Sequence, residues 1–171
     1  MKSNLESKIS EGIYQLPFKS NDKVKRTTAP SHTKYRPYYP YAIDWYMPEG
    51  TPIYAARGGV IMLREARYNT FGGIKFIEKG NYVEILHENK EVSLYGHFKW
   101  RGVTVKKGEY VKKGQLIGYS GQTGFALYPH LHFAVYKDIG DAFANIKPIF
   151  SKNTDIKYLT NPVCWKKFEK K

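Results

Sequence analysis

Residues 130–136 read His-Leu-His-Phe-Ala-Val-Tyr, and the alternation in that run decides the architecture. Side chains of an extended chain point to opposite faces in turn. Leu131, Phe133 and Val135 therefore form one apolar face, and His130 and His132 share the other. Working outward, Tyr41-Ala42-Ile43-Asp44-Trp45-Tyr46 repeats the pattern, with Asp44 opposite Tyr41, Ile43 and Trp45. In 92–98, Ser93, Tyr95 and His97 fall opposite Val92, Leu94 and Phe98. Asp44, His97, His130 and His132 could then line one cleft, a candidate metal and acid–base site, if the strands are neighbours in one sheet.

Strand-like runs cover 41–47, 51–55, 60–66, 73–79, 81–88, 91–98, 115–120 and 131–137. Turn signals separate them, among them Pro48-Glu49-Gly50, Gly58-Gly59, Gly72-Gly73 and Gly121-Gln122-Thr123-Gly124. The expected fold is mostly β, an antiparallel sandwich or open barrel with a metal-bearing cleft. Residues 13–18 read as a short strand and 19–40 as a long loop. A flexible N-terminal arm is expected over 1–12, the domain over 13–137, and a C-terminal extension packed on or trailing it over 138–171. Lys106-Lys107-Gly108-Glu109 recurs as Lys112-Lys113-Gly114-Gln115, a weak repeat that fits two ordinary turns.

A chain of 171 residues, 42% apolar and 16% aromatic, suits one core and excludes disorder as a whole. Its net charge of +13 favours polyanions, whether nucleic acid, anionic membrane or wall polymer, and equally suits plain solubility. Cys164 is the single cysteine, so no internal disulfide forms. No apolar run approaches membrane-spanning length, and residues 1–12 lack the apolar core of a signal peptide.

Taken singly, each candidate has a bland reading. A lone His-x-His is often a surface coincidence, a strand Asp is usually solvated, and His97 could be a hydrogen-bonded structural residue. His87, on the face of Val83 and Ile85, reads as a strand-end histidine. His32 sits in the 19–40 loop. A catalytic zinc takes three protein ligands and a water. With one cysteine, His and carboxylate must supply most of them.

Three runs together carry a resemblance: AIDWYMPEGTPIYAARGGVI, NYVEILHENKEVSLYGHF and VKKGQLIGYSGQTGFALYPHLHF. They resemble the M23 family of zinc metallopeptidases, with lysostaphin-type, LytM-like domains, over roughly 13–137. The resemblance implies one zinc ion per chain, held by Asp44 and His132. His97 and His130 match the family's unligated catalytic histidines. Where the family commonly has a histidine four residues before the aspartate, this chain has Pro40. Some relatives carry Ser-His ahead of Tyr-Ala-x-Asp, as Ser31-His32 precedes Tyr41-Ala42-Ile43-Asp44 here, which makes His32 the expected third ligand.

The implied reaction is hydrolysis of peptide bonds in peptidoglycan stems or cross-bridges. The implied location is secreted, periplasmic or wall-associated. Anionic wall polymers would suit the charge. The 19–40 loop and the 64–76 connection could wall the cleft, and Tyr95 could steady substrate or simply pack. Pro40 also fits a non-catalytic M23-like module that activates a wall amidase, although four retained site residues argue against it. A basic nucleic-acid binder would leave the histidine placement unexplained, so no specific nucleic acid is expected.

Overall fold

Short aromatic and β-branched runs broken by glycine turns become strands throughout the chain. The computed structural model describes residues 9–20, 23–27, 41–137, 145–155 and 157–160. The strands are β1 (Ile9–Tyr14), β2 (Lys25–Thr27), β3 (Ile43–Tyr46), β4 (Pro52–Tyr54), β5 (Gly59–Glu65) and β6 (Tyr82–Leu86). They continue as β7 (Glu91–Gly96), β8 (Phe98–Val103), β9 (Tyr110–Val111), β10 (Leu116–Ser120), β11 (His130–Lys137) and β12 (Asn145–Phe150). One short helix, α1 (Lys157–Thr160), follows. Among the described residues no helix is long and apolar enough to cross a membrane.

The larger sheet runs β1-β12-β11-β7-β6-β5-β9, with β3 joined to β11 and β2 joined to β3. It curls into a half-barrel. A second sheet, β4-β10-β8, packs on it. The expected mostly β, antiparallel architecture is what the chain adopts. The exception is β1, which pairs with β12 in parallel. The core lies between the sheets: Leu131, Phe133, Val135, Val83, Ile85 and Trp45 from one meet Ile53, Phe98 and Ile117 from the other. Trp45 is fully buried, and its indole N–H donates to the Tyr158 carbonyl oxygen at 2.8 Å, which ties α1 to β3.

Strand β11 divides one of its edges. Its first half pairs with β3, from His130 opposite Tyr46 to Phe133 opposite Ile43, and its second half pairs with β12. Along the other edge it pairs with β7.

Several expectations are corrected. Residues 73–79 are not a strand; they hold a 3-10 turn at Ile74–Phe76. The 138–171 region contains β12 as well as α1. Residues 9–12, expected in a loose arm, are strand. What holds them is Glu91, whose carboxylate is fully buried. It accepts hydrogen bonds from the backbone N–H of Glu11 (2.6 Å), the Ser10 hydroxyl (3.0 Å) and the Tyr14 hydroxyl (2.9 Å), and pairs with Arg57 at 3.3 Å. Burial alone would raise the Glu91 pKa; these bonds, with one from Asn89, outweigh it and hold the group below its ordinary range. A Cβ on Gly12 would overlap the Arg57 guanidinium, so a larger residue there would displace Arg57 from its place beside Glu91. The two Lys-Lys-Gly segments are ordinary turns either side of β9. In each, the first lysine's N–H donates to the side chain three residues on, Glu109 or Gln115.

Candidate active site

Register brings the first two candidates together. His132 lies directly opposite Asp44 on one side and Gly96 on the other. His132 Nδ1 is 2.9 Å from Asp44 Oδ1, and both side chains are buried. A Cβ on Gly96 would stand 3.3 Å from that of His132, so the glycine leaves room for the imidazole. His130, one step along the same face, has Nε2 3.9 Å from Asp44 Oδ1.

His97 arrives by a different route from the one its sequence suggests. In β7 the core face carries Ser93 and Tyr95, not Val92 and Leu94. Tyr95 opposes Phe133 in register, packs edge-on against it at 5.3 Å, and is fully buried. Its hydroxyl accepts the Ala56 N–H at 2.9 Å and lies 3.1 Å from Ser93 Oγ. Burial pushes the Tyr95 pKa up to about 12. Tyr95 is therefore a core residue and does not reach the cleft. Continued alternation would have sent His97 inward as well. The strand ends at Gly96, and His97 takes a φ of 66°, which turns its ring to the other side.

There the rings of His97 and His130 lie 4.4 Å apart, centroid to centroid, and those of His97 and His132 5.9 Å apart. Two carbonyl oxygens fix their protons. His97 Nδ1 is 2.7 Å from the Thr123 oxygen, and His130 Nδ1 is 2.8 Å from the Tyr128 oxygen. A carbonyl can only accept, so each Nδ1 carries a hydrogen, and the neutral form of such a ring has its lone pair at Nε2. Desolvation first, then the adjacent His130 and His132 rings, hold the His97 pKa well below its ordinary value.

His87 does not join the site. It is buried at the end of β6, with Nδ1 2.8 Å from the Gly58 oxygen and Nε2 2.9 Å from Ser93 Oγ. His32 lies outside the described residues. Among the described residues, no group of three or more His, Cys, Asp or Glu side chains that could hold a metal ion is formed. The donor pair in hand does fit zinc. An imidazole nitrogen and a carboxylate oxygen are donor types zinc takes, and here they sit side by side on paired strands.

The fixing carbonyls of Thr123 and Tyr128 were missed by sequence reasoning, which weighs side chains. The Gly-x-Thr-Gly turn was the available signal. The 66–80 connection lies against that turn: Phe71 bridges to Gly124, and the Gly72 N–H donates to the Gly124 oxygen at 3.1 Å. Phe71, Ile74 and Ile77 are exposed on it, and Leu127 and Tyr128 are exposed on the segment before His130.

Residues 38–146 match the profile of peptidase family M23. Over 93 residues the chain is 40% identical to lysostaphin of Staphylococcus simulans, a stretch covering 54% of this chain and 17% of that protein. Over 90 residues it is 44% identical to peptidoglycan DD-endopeptidase ShyC of Vibrio cholerae serotype O1, covering 53% and 18%. The solved antimicrobial peptidase lysostaphin from Staphylococcus simulans superposes with a TM-score of 0.51 at 34% identity, over 63% of this chain and 41% of that one. A zinc containing peptidase from Vibrio cholerae does so at 0.51 and 26%, over 71% and 36%. The matches span less than a fifth of the length of the two curated relatives.

Proposed function

The chain belongs to peptidase family M23, and from that premise we propose that it is a zinc-dependent endopeptidase that hydrolyses peptide bonds in bacterial cell-wall peptidoglycan. One observation carries the reading: a buried Asp44–His132 donor pair stands beside two histidines whose Nδ1 hydrogens are committed to carbonyl oxygens. The peptidoglycan DD-endopeptidase among the relatives supports the substrate class.

Asp44, His132 and His32 would hold the metal. Thr27 pairs with Asp44, so the chain leaves β2 beside the site five residues before His32, a span of at most about 17 Å when extended. That supports His32 as the third ligand. Bound zinc would supply a Lewis acid that polarises the scissile carbonyl and makes water a better nucleophile. His97 and His130 take a proton from the attacking water and return one to the leaving amide nitrogen, through Nε2. The depressed pKa of His97 keeps it neutral and able to accept near pH 7. Loops 66–80 and 121–128 wall the cleft, and the wall polymer lies outside the cell membrane, where the enzyme would act.

Pro40 favours a second reading, a non-catalytic module that activates a wall amidase. Two tautomer-fixed bases are of no use to such a module. Metal content of the purified chain and digestion of isolated walls separate the two readings. About one zinc per chain with release of new amine and carboxyl ends is expected; no zinc uptake and no cleavage would sink the enzyme. For His32→Ala, zinc affinity and cleavage should both fall. Unchanged values remove His32 from the site.

A further inference from the structure

A non-glycine residue with positive φ persists only where its surroundings over-determine it, and His97 is one of three such residues among those described. The next residue, Phe98, is held at both main-chain groups. Its N–H donates to the Asn81 carbonyl oxygen at 3.1 Å. Its own carbonyl oxygen accepts the Thr123 hydroxyl at 2.6 Å and Asn81 Nδ2 at 3.3 Å. Asn81 N–H donates in turn to Thr123 Oγ1 at 3.0 Å, so that one hydroxyl both gives and receives. Asn81 also binds Tyr68 from both ends of its amide, donating to the Tyr68 oxygen at 2.8 Å and accepting the Tyr68 N–H at 3.0 Å. Asn81 and Thr123 are both buried.

Thr123 thus holds His97 at its ring and the next residue, Phe98, at its main chain. The Thr123 hydroxyl fixes the Phe98–Lys99 peptide, the Asn81 carbonyl oxygen fixes the His97–Phe98 peptide, and the Thr123 carbonyl oxygen fixes the ring at Nδ1. Gly124 lets the turn come this close: it has a φ of 84°, and a Cβ there would stand 2.7 Å from the Gly80 Cα.

We propose that Thr123 and Asn81 are positioning residues for His97, holding it in the left-handed conformation and the Nδ1–H tautomer that turn Nε2 to the reacting groups. The proposal rests on the hydrolase reading above only for its effect on rate; the ring's tautomer is a property of the folded chain. Thr123→Ser keeps a hydroxyl able to give and receive. Thr123→Val keeps the shape and loses both bonds.

The test follows the His97 ring by its nitrogen-15 shifts alongside wall cleavage, in the zinc-loaded full chain. Wild type and Thr123→Ser should show one slowly exchanging Nδ1–H tautomer. Thr123→Val should show averaged tautomers, with kcat lower by about 10- to 100-fold and KM and zinc content unchanged. Thr123→Val with a fixed ring and wild-type kcat overturns the inference. So does a wild-type ring found as the Nε2–H form, a result that needs no variant to fold. A wild-type chain with the fixed ring but no wall cleavage would sink the hydrolase reading and leave the positioning of His97 standing.

Discussion

His130 and His132 stand two positions apart on one face of β11, yet their neighbours give them different work. His132 Nδ1 faces a carboxylate oxygen, whereas His130 Nδ1 faces a carbonyl. His132→Ala should therefore remove both zinc and activity. His130→Ala should retain zinc and lose about 10²- to 10⁴-fold in turnover, the usual worth of a positioned acid or base. Equal loss of metal in the two variants would refute the division. A third histidine bears on stability instead. Burial drives the His87 pKa from 6.5 down to about 4, although the Gly58 carbonyl opposes the shift. Between those values the unfolded chain takes up a proton that the folded chain refuses. Acidification through that window therefore favours unfolding, and stability is regained as pH rises again. The contribution is about 3 kcal/mol by pH 4. His87→Gln should flatten the pH dependence of urea midpoints between pH 6.5 and 4, and an unchanged slope would show that the group does not control it.

At the scale of the strand, β1 is held by its pairing with β12 and by the side chain of Glu91. Glu91→Ala would leave Arg57, the N–H groups of Glu11 and Gly12 and the hydroxyls of Ser10 and Tyr14 facing a buried gap. Losing one partner of such a cluster costs about 3–5 kcal/mol, and denaturant unfolding should read that loss together with faster amide exchange along β1. A loss below about 1 kcal/mol would mean that β1 is held by its pairing with β12. The same strand marks a limit of sequence reading. β11 and β3 were legible because one polar face alternates with one apolar face. β7 was misread because its inward face carries Ser93 and Tyr95, whose hydroxyls find partners inside the core, so polarity did not mean exposure. β12 has no alternating signal; it is a strand by pairing with β11 on one edge and with the distant β1 on the other. The closeness of Asp44 and His132 was legible for the same reason as β11. The main-chain carbonyls that set their tautomers, and the backbone turn that delivers His97, have no side-chain signature.

For the whole molecule, charge and connectivity have separate consequences. A net charge of +13 should make adsorption to isolated walls fall as salt rises, since exposed charges are screened beyond about 8 Å at physiological ionic strength. Adsorption indifferent to salt would point to specific recognition and leave the charge as background. Connectivity acts through time. Ile9 pairs with Lys147, so among the described strands the one made earliest waits for the one made latest. Until then the Glu91 cluster lacks the donors that β1 brings, and one edge of β12 is open. Contacts of such sequence separation form late and slowly, and an open strand edge invites pairing between chains. In refolding followed by pulsed amide labelling, β6, β7 and β11 should be protected first and β1 last. The interval between them is when crowded chains would aggregate, so yield should fall with protein concentration although the finished fold does not depend on it.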